Sequence, residues 1–255
     1  MQKIGIGLIG TGFMGKSHAR AWRAAATLSG DIQPVLISVA DIDAAAAESV
    51  AQQFGFMRWT QRWQDLIDDP DIDVISITSP NRFHAEQALA AIAAGKHVHC
   101  EKPLAPDSET AERMRLAAEK AGVFTQVGFN YIKNPLLKLA RHMIANGDLG
   151  EITGFRGIHA EDFMADPAIP WSWRLDPAGG AGAVADLGSH ILGMARFLLG
   201  PVSEVFADLD TVIKARPESA GSRVLKPVEV DDIARLTLIF ARGCRGHIEA
   251  NWVCL

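Results

Sequence analysis

The chain has 255 residues, 48% of them hydrophobic and 22% charged, with a formal net charge of -5. These are the proportions of a globular protein that buries a full core in two modest domains or one large one, and the acidic balance excludes a nucleic-acid partner. Cys100, Cys244 and Cys254 are an odd, scattered trio, which excludes a disulfide framework and a paired zinc site and suits a reducing compartment.

Met1-Gln2-Lys3 runs straight into Ile4–Ile9 with no leader and no cleavage site, so no export signal is expected. No window has the apolar length of a membrane helix. The expectation is a cytoplasmic protein without a membrane partner.

The first half alternates short apolar runs with helical patterns, as a parallel sheet with crossover helices does. Expected strands are Ile4–Ile9, Val35–Ala40, Val74–Thr78, His97–Cys100 and Phe124–Gly128. Expected helices are Gly15–Ala26, Asp43–Phe54, Phe83–Ala94 and Ser108–Ala121, with Gly55, Gly95 and Gly122 as stops and Ser108 as a cap. After Phe129 the texture changes. A helix is expected over Pro135–Asn146 and a strand over Glu151–His159, followed by an irregular stretch, Met164–Gly182, with three prolines and three glycines. A helix from about Ala185 to Leu199 comes next. Val202–Thr211, Ile233–Phe240 and Arg245–Trp252 then read as antiparallel strands, the last two joined by a hairpin at Ala241–Cys244. The boundary falls near residues 128 to 134, which gives domains of 1–130 and 131–255.

Gly10-Thr11-Gly12-Phe13-Met14-Gly15 follows a strand and opens a helix, the setting a dinucleotide fingerprint requires. Gly10 allows the tight turn, Gly12 lets backbone approach a pyrophosphate at the helix start, and Gly15 lets helix pack on strand. Without a ligand the same pattern is a glycine-rich turn. Asp41, just past the second strand, can accept hydrogen bonds from ribose hydroxyls and would repel a 2′-phosphate, so NAD is expected over NADP. It can equally belong to a helix cap, with Asp43 beside it. Thr78-Ser79-Pro80-Asn81 can wall the cofactor crevice or form a turn in which Asn81 caps the next helix.

Oxidising a secondary alcohol needs a hydride acceptor, a base and a group that stabilises the alkoxide. Lys102, in Glu101-Lys102-Pro103 at the carboxyl end of a later strand, supplies positive charge at the crevice. Asp186 and His190 are four apart on an expected helix and share a face, so the carboxylate can orient an imidazole suited to proton transfer. A surface ion pair is the plain alternative. A zinc reading lacks a third ligand, and no metal is expected. Trp173 and Arg174 can stack on and hydrogen-bond a sugar or merely pin the loop. His159 joins them as a polar candidate for the pocket.

The Gly10–Gly15 fingerprint, Glu101-Lys102-Pro103 and Asp186-Leu187-Gly188-Ser189-His190, in that order and separation, resemble the glucose-fructose oxidoreductase / inositol dehydrogenase / rhizopine catabolism (Gfo/Idh/MocA) family over the whole chain. The resemblance implies an α/β fold with an N-terminal Rossmann doubly wound parallel sheet. It also implies a C-terminal α+β domain on an open, largely antiparallel sheet whose free face makes oligomer contacts, in a homodimer or homotetramer. Lys102 would contact substrate and cofactor, Asp186 would orient substrate, and His190 would be the general acid/base. The cofactor set would comprise Gly10, Gly12, Phe13, Met14, Gly15, Asp41, Ser79, Pro80, Asn81, His84, Glu101 and Lys102. Asn130 and Tyr131 would join His159, Trp173 and Arg174 toward substrate, although many relatives carry arginines at Tyr131 and Ile132. A cis Lys102-Pro103 bond is expected on the same ground.

The stretch His159–Phe163 with Trp173-Arg174 looks most like the branch of levoglucosan- and inositol-type dehydrogenases, which implies an uncharged sugar, anhydrosugar or cyclic polyol. The competing expectations are a dihydrodiol-type or other redox enzyme of the same family and a non-enzymatic NAD-binding regulator. Because the chain stops at an apolar strand, Trp252-Val253-Cys254-Leu255, it is expected to be truncated or covered there by a partner subunit.

Overall fold

The computed structural model describes residues 2–28, 30–179 and 182–254; Gly180 and Ala181 of the long irregular stretch and Leu255 of the terminal run lie outside them. The chain divides into two units, residues 1–128 and 129–255.

In the first unit β1 (Gln2–Ile9), α1 (Phe13–Leu28), β2 (Ile32–Ala40), α2 (Ala44–Phe54), β3 (Arg58–Thr60), α3 (Gln64–Asp68), β4 (Val74–Ile77), α4 (His84–Ala93), β5 (His97–Cys100), α5 (Ser108–Ala121) and β6 (Thr125–Val127) follow in order. The six strands form one parallel sheet in the order β3-β2-β1-β4-β5-β6. Strand order reverses between β1 and β4, so the crevice beyond their carboxyl ends is where such sheets hold ligands. Helices cover both faces, which is why the strands read as unbroken apolar runs. One face buries Ile6, Leu8, Val39, Val50 and Phe54, the other Ile9, Ile75, Ile77, Ile92, Val98 and Met114. Each such side chain contributes about 1.5–3 kcal/mol on leaving water.

Local chemistry sets the helix ends. Asp43 caps α2 by accepting from the Ala45 and Ala46 amides at 2.9 and 3.2 Å. Asp107, not the expected Ser108, caps α5, accepting from the Thr110 amide at 2.7 Å. Gly55 and Gly122 close α2 and α5 in the left-handed region, at φ 76° and 67°. The pattern did not announce β3 and α3: three and five residues are too few to show a period.

The second unit holds α6 (Pro135–Asn146), β7 (Gly154–Ala160), α7 (Ser189–Leu199), β8 (Val202–Asp210), β9 (Ala215–Pro217), β10 (Leu225–Pro227), β11 (Ile233–Phe240) and β12 (Arg245–Asn251). Its main sheet runs β7-β12-β11-β8. β11 pairs antiparallel with β8 and β12, while β12 pairs parallel with β7. Ala234, Leu236, Leu238 and Phe240 alternate inward along β11, and the last three pack with Ile191, Ala195 and Leu199 of α7. Gly157 of β7 lets α7 approach, since a Cβ there would lie 2.3 Å from Ile191 Cγ2. β9 and β10 pair as a small separate ladder; each ends in a proline, a residue that disfavours strands, and neither was expected from the sequence.

The irregular stretch after Met164 is held in place: fully buried Arg216 donates to the Met164 and Asp166 carbonyls at 2.5 and 2.8 Å, and the Met164 amide donates to the Trp252 carbonyl at 3.0 Å. One expectation is corrected here. The helix expected from Ala185 is not one continuous α-helix. Val184–Gly188 is a π-helical turn, and α7 starts only at Ser189.

Candidate active site

The first unit builds a cradle at the end of β1. Gly10 has φ 94°, and a Cβ on it would lie 2.9 Å from the Thr78 carbonyl carbon and oxygen. Thr78 closes the contact by donating its hydroxyl to the Ile9 and Gly10 carbonyls at 2.9 and 3.0 Å. A Cβ on Gly15 would lie 2.2 Å from the Gly10 carbonyl oxygen, so only glycine lets α1 start against the turn. Gly12 faces open space, with nothing within 4 Å of such a Cβ. The exposed Phe13 and half-buried Met14 begin α1, whose first amides have no intrahelical acceptor. A tight turn, an open glycine and a helix start together fit a pyrophosphate.

Asp41 locks this loop. One carboxylate oxygen accepts from the Thr11 amide and hydroxyl at 2.8 and 2.6 Å, and the other accepts from the Asp43 amide at 3.0 Å. With Asp43 capping α2, Asp41 keeps acceptor capacity for a hydroxyl but also organises the turn.

Lys102 stands just beyond β5, at the same carboxyl edge of the sheet, and its bond to Pro103 is cis. Three residues expected on the cofactor are turned inward. Fully buried His84 has Nδ1 at 2.9 Å from the Pro103 carbonyl and Nε2 at 2.8 Å from the Ser79 carbonyl. Burial lowers its pKa from 6.5, against those two carbonyls, which favour the charged form. The Ser79 hydroxyl donates to Gln87 Oε1 at 2.6 Å. Glu101 is buried, 2.9 Å from His18 Nε2, and accepts from the Lys102 amide at 3.1 Å. Burial pushes its carboxyl up, but the His18 hydrogen bond and charge, with Lys102, hold it below the usual carboxylate range. Asn81 does not cap α4; it is buried in a 3-10 turn, Asn81–Phe83, that leads into the helix after Pro80.

The second unit gathers most of its expected residues into two neighbouring groups. Tyr131 packs its ring edge-on against His190, centroids 4.7 Å apart, and against His159 at 6.1 Å; the two imidazoles are 5.8 Å apart. His159 Nε2 lies 3.2 Å from Glu161. Arg174 donates Nε to the Asp186 carboxylate at 3.3 Å and lies over the Trp173 ring at 4.6 Å. Asp186 belongs to the π turn and His190 to α7, so the simple four-residue helical spacing is replaced by a wider turn. Asn130 is exposed and spends its side-chain oxygen on the Tyr131 amide at 3.0 Å. Among the described residues no group of three His, Cys, Asp or Glu could hold a metal.

Sequence reasoning assigns no role to Thr11 or His18, whereas Thr78 stands with Ser79-Pro80-Asn81 as a wall of the crevice. His18 left a trace: with Gly15 and Ala19 it marks the buried face of α1, and a buried imidazole needs partners.

Family models match both units. Residues 4–129 match the oxidoreductase family with an NAD-binding Rossmann fold, and residues 137–255 match the GFO/IDH/MocA C-terminal domain. The chain belongs to the GFO/IDH/MocA family. Its first unit is thus that family's NAD-binding domain, and it is an oxidoreductase. A levoglucosan dehydrogenase of Pseudarthrobacter phenanthrenivorans is 40% identical over 98% of this chain and 68% of its own length. A myo-inositol 2-dehydrogenase of Thermotoga maritima is 29% identical over 96% of this chain and 67% of its own. A solved levoglucosan dehydrogenase in complex with NADH and levoglucosan superposes with a TM-score of 0.93 at 41% identity, over 99% of this chain and 68% of that one. The chain therefore spans about two thirds of the length of these relatives. No helix among the described residues is long and apolar enough to cross a membrane.

Proposed function

We propose that this chain is an NAD-dependent dehydrogenase acting on a secondary alcohol of a neutral sugar, anhydrosugar or cyclic polyol. The observation that carries the reading is Lys102, just beyond β5 at the carboxyl edge of the sheet that presents the Gly10–Gly15 cradle. NAD, when bound, supplies the hydride acceptor. Gly12 and the start of α1 receive its pyrophosphate, and Asp41 accepts from a ribose hydroxyl and disfavours a 2′-phosphate.

Lys102 contributes the positive charge that stabilises a developing alkoxide. His190 takes the hydroxyl proton, with Tyr131 and His159 limiting its ring movement. Asp186, held by Arg174, accepts from a substrate hydroxyl and orients it. Trp173, already stacked on Arg174, offers a flat face to a sugar ring. The levoglucosan and inositol dehydrogenases among the relatives support this substrate class.

The reading extends to a homodimer or homotetramer in the cytoplasm. Exposed Ile158, Val205, Phe206 and Leu209 on the second sheet support self-association, and the free thiols Cys100, Cys244 and Cys254 suit a reducing compartment. Light scattering reads the first directly: a strict monomer overturns it.

The deciding experiment is NAD reduction against levoglucosan, simple sugars and inositols, with NADP in parallel. Lys102→Ala and His190→Ala should each lower turnover by roughly 10²–10⁴-fold while NAD still binds. Asp186→Asn should raise KM as well. A clear preference for NADP would overturn the role of Asp41. Reduction by none of the panel would overturn the substrate class.

A further inference from the structure

We propose that His18 is a positioning residue for Lys102, acting through the buried carboxylate of Glu101. The inference rests on the reading of Lys102 as the charged group of the reaction.

His18 lies on α1, one turn past the glycine cradle, and Glu101 ends the strand segment that delivers Lys102. The two side chains are nearly inaccessible and meet at 2.9 Å. The other carboxylate oxygen of Glu101 accepts from the Lys102 amide at 3.1 Å. One carboxylate thus ties the helix behind the cofactor loop to the turn that aims the lysine. Ser76 Oγ, at the interior of β4, faces His18 Nδ1 at 2.8 Å and accepts from Trp22 Nε1 at 3.3 Å.

Glu101 can only accept, so His18 Nε2 carries a proton aimed at it, and Ser76 Oγ, which accepts from Trp22, stands at Nδ1. His99 stacks on His18 with centroids 4.5 Å apart and planes 14° from parallel, so the imidazole has little room to turn. From the other side Gly128 makes space for the carboxylate: a Cβ there would lie 2.5 Å from Glu101 Oε1. Packing from α1, β4, β5 and the end of β6 therefore holds a polar group that needs no ligand to be satisfied. A purely structural ion pair would be served by any donor on α1. This one spends its second oxygen on the amide of Lys102.

The test separates the two nitrogens of His18. Glutamine can place an amide donor near the position of Nε2, whereas asparagine reaches only the position of Nδ1. In the full chain, H18N should lower kcat by about 10²-fold, as misplacement of a reacting group does, with NAD affinity unchanged. H18Q should restore most of that loss. Acetic anhydride should label Lys102 severalfold faster, relative to exposed Lys3, in H18N but not in H18Q, a readout independent of turnover.

Equal kcat in H18N, H18Q and the parent chain would overturn the proposal, as would equal losses in both variants with unchanged labelling. If H18N does not fold, E101Q carries the same test, because it keeps the shape and removes the charge. Its kcat should fall with NAD binding retained, and a normal kcat overturns the proposal. K102A distinguishes the two levels: normal turnover in K102A removes the role of Lys102 itself, whereas an inactive K102A beside a normal H18N removes only the positioning role.

Discussion

Gly12 and Gly15 are three residues apart and do opposite jobs, which makes them a controlled pair. A methyl at position 15 would collide with the Gly10 carbonyl oxygen, a backbone atom that cannot move aside. Gly15→Ala should therefore cost about 1–3 kcal/mol, or roughly 2–10 °C in Tm for a chain of this size, as overpacking does. A methyl at position 12 meets nothing within 4 Å, so Gly12→Ala should leave Tm unchanged. It should weaken NAD binding sharply, because the methyl occupies the space of the approaching phosphate. Calorimetry and NAD titration on both variants check the pair; a fall in Tm for Gly12→Ala would mean that the open face is not open.

The buried His84 predicts a pH effect of definite sign. Burial lowers its pKa below 6.5, so below that pH the unfolded chain takes up a proton that the folded chain resists. Its contribution to stability is present above pH 6.5 and is lost as pH falls toward the folded value. Tm measured down from pH 6.5 should fall more steeply in the parent than in His84→Gln. Glu101 adds a loss of the same sign, but only below its ordinary value of 4.5, so the two windows can be told apart.

At the scale of elements, β9 and the stretch after Met164 are joined by a charge without a carboxylate partner in hydrogen-bonding contact. Arg216 is fully buried on two carbonyls, with Asp232 and Asp166 contributing only at longer range. Arg216→Met keeps most of the volume and strands both carbonyls, so it should cost about 2–5 kcal/mol. The stretch around Met164–Asp166 should then lose hydrogen-exchange protection before the rest of the unit. Uniform loss of protection would show that Arg216 is not a local pin.

This region also shows where the sequence stopped being legible. The long strands and helices announced themselves because their periods repeat and glycines end them. β9 and β10 did not, because prolines end them and one alternation is no pattern. The glycine cradle and Lys102 were visible as motifs. The partners of Glu101 and His84 were not legible, because a motif gives neighbourhood, not direction: both side chains are buried on protein partners, His18 and the Lys102 amide for one and the Ser79 and Pro103 carbonyls for the other. Arg216 was invisible, since nothing local tells a buried arginine from an exposed one.

Across the whole molecule, two separate cores imply that a ligand can stabilise one without the other. NAD at a hundred times its Kd adds about 2.7 kcal/mol to whatever folds with its site. Hydrogen exchange with NAD should protect the stretch from Gly10 to Gly15 and the segments around Asp41 and Thr78. Strand β11, with a core of its own, should gain less. Equal protection in both units would show that they unfold as one cooperative body.

The π turn at Val184–Gly188 carries a consequence that concerns counting. Each residue of an α-helix turns the chain by about 100° and advances it by about 1.5 Å. A wide turn absorbs one residue more than an α-helix would use, so it works like a spacer that sets the phase between the chain on its two sides. Asp186 lies within that spacer, and His190 lies just after it, on the helix seated against Gly157. Deleting Ala185 would let the segment relax into an ordinary helix, but the two catalytic candidates could not then both keep their places. If α7 keeps its seat, Asp186 swings away from Arg174; if Asp186 stays, Ile191 and Ala195 leave the core. Such a deletion should therefore act as either a pure loss of substrate orientation or a pure loss of stability, and Tm alongside KM would reveal which end of the spacer is the fixed one.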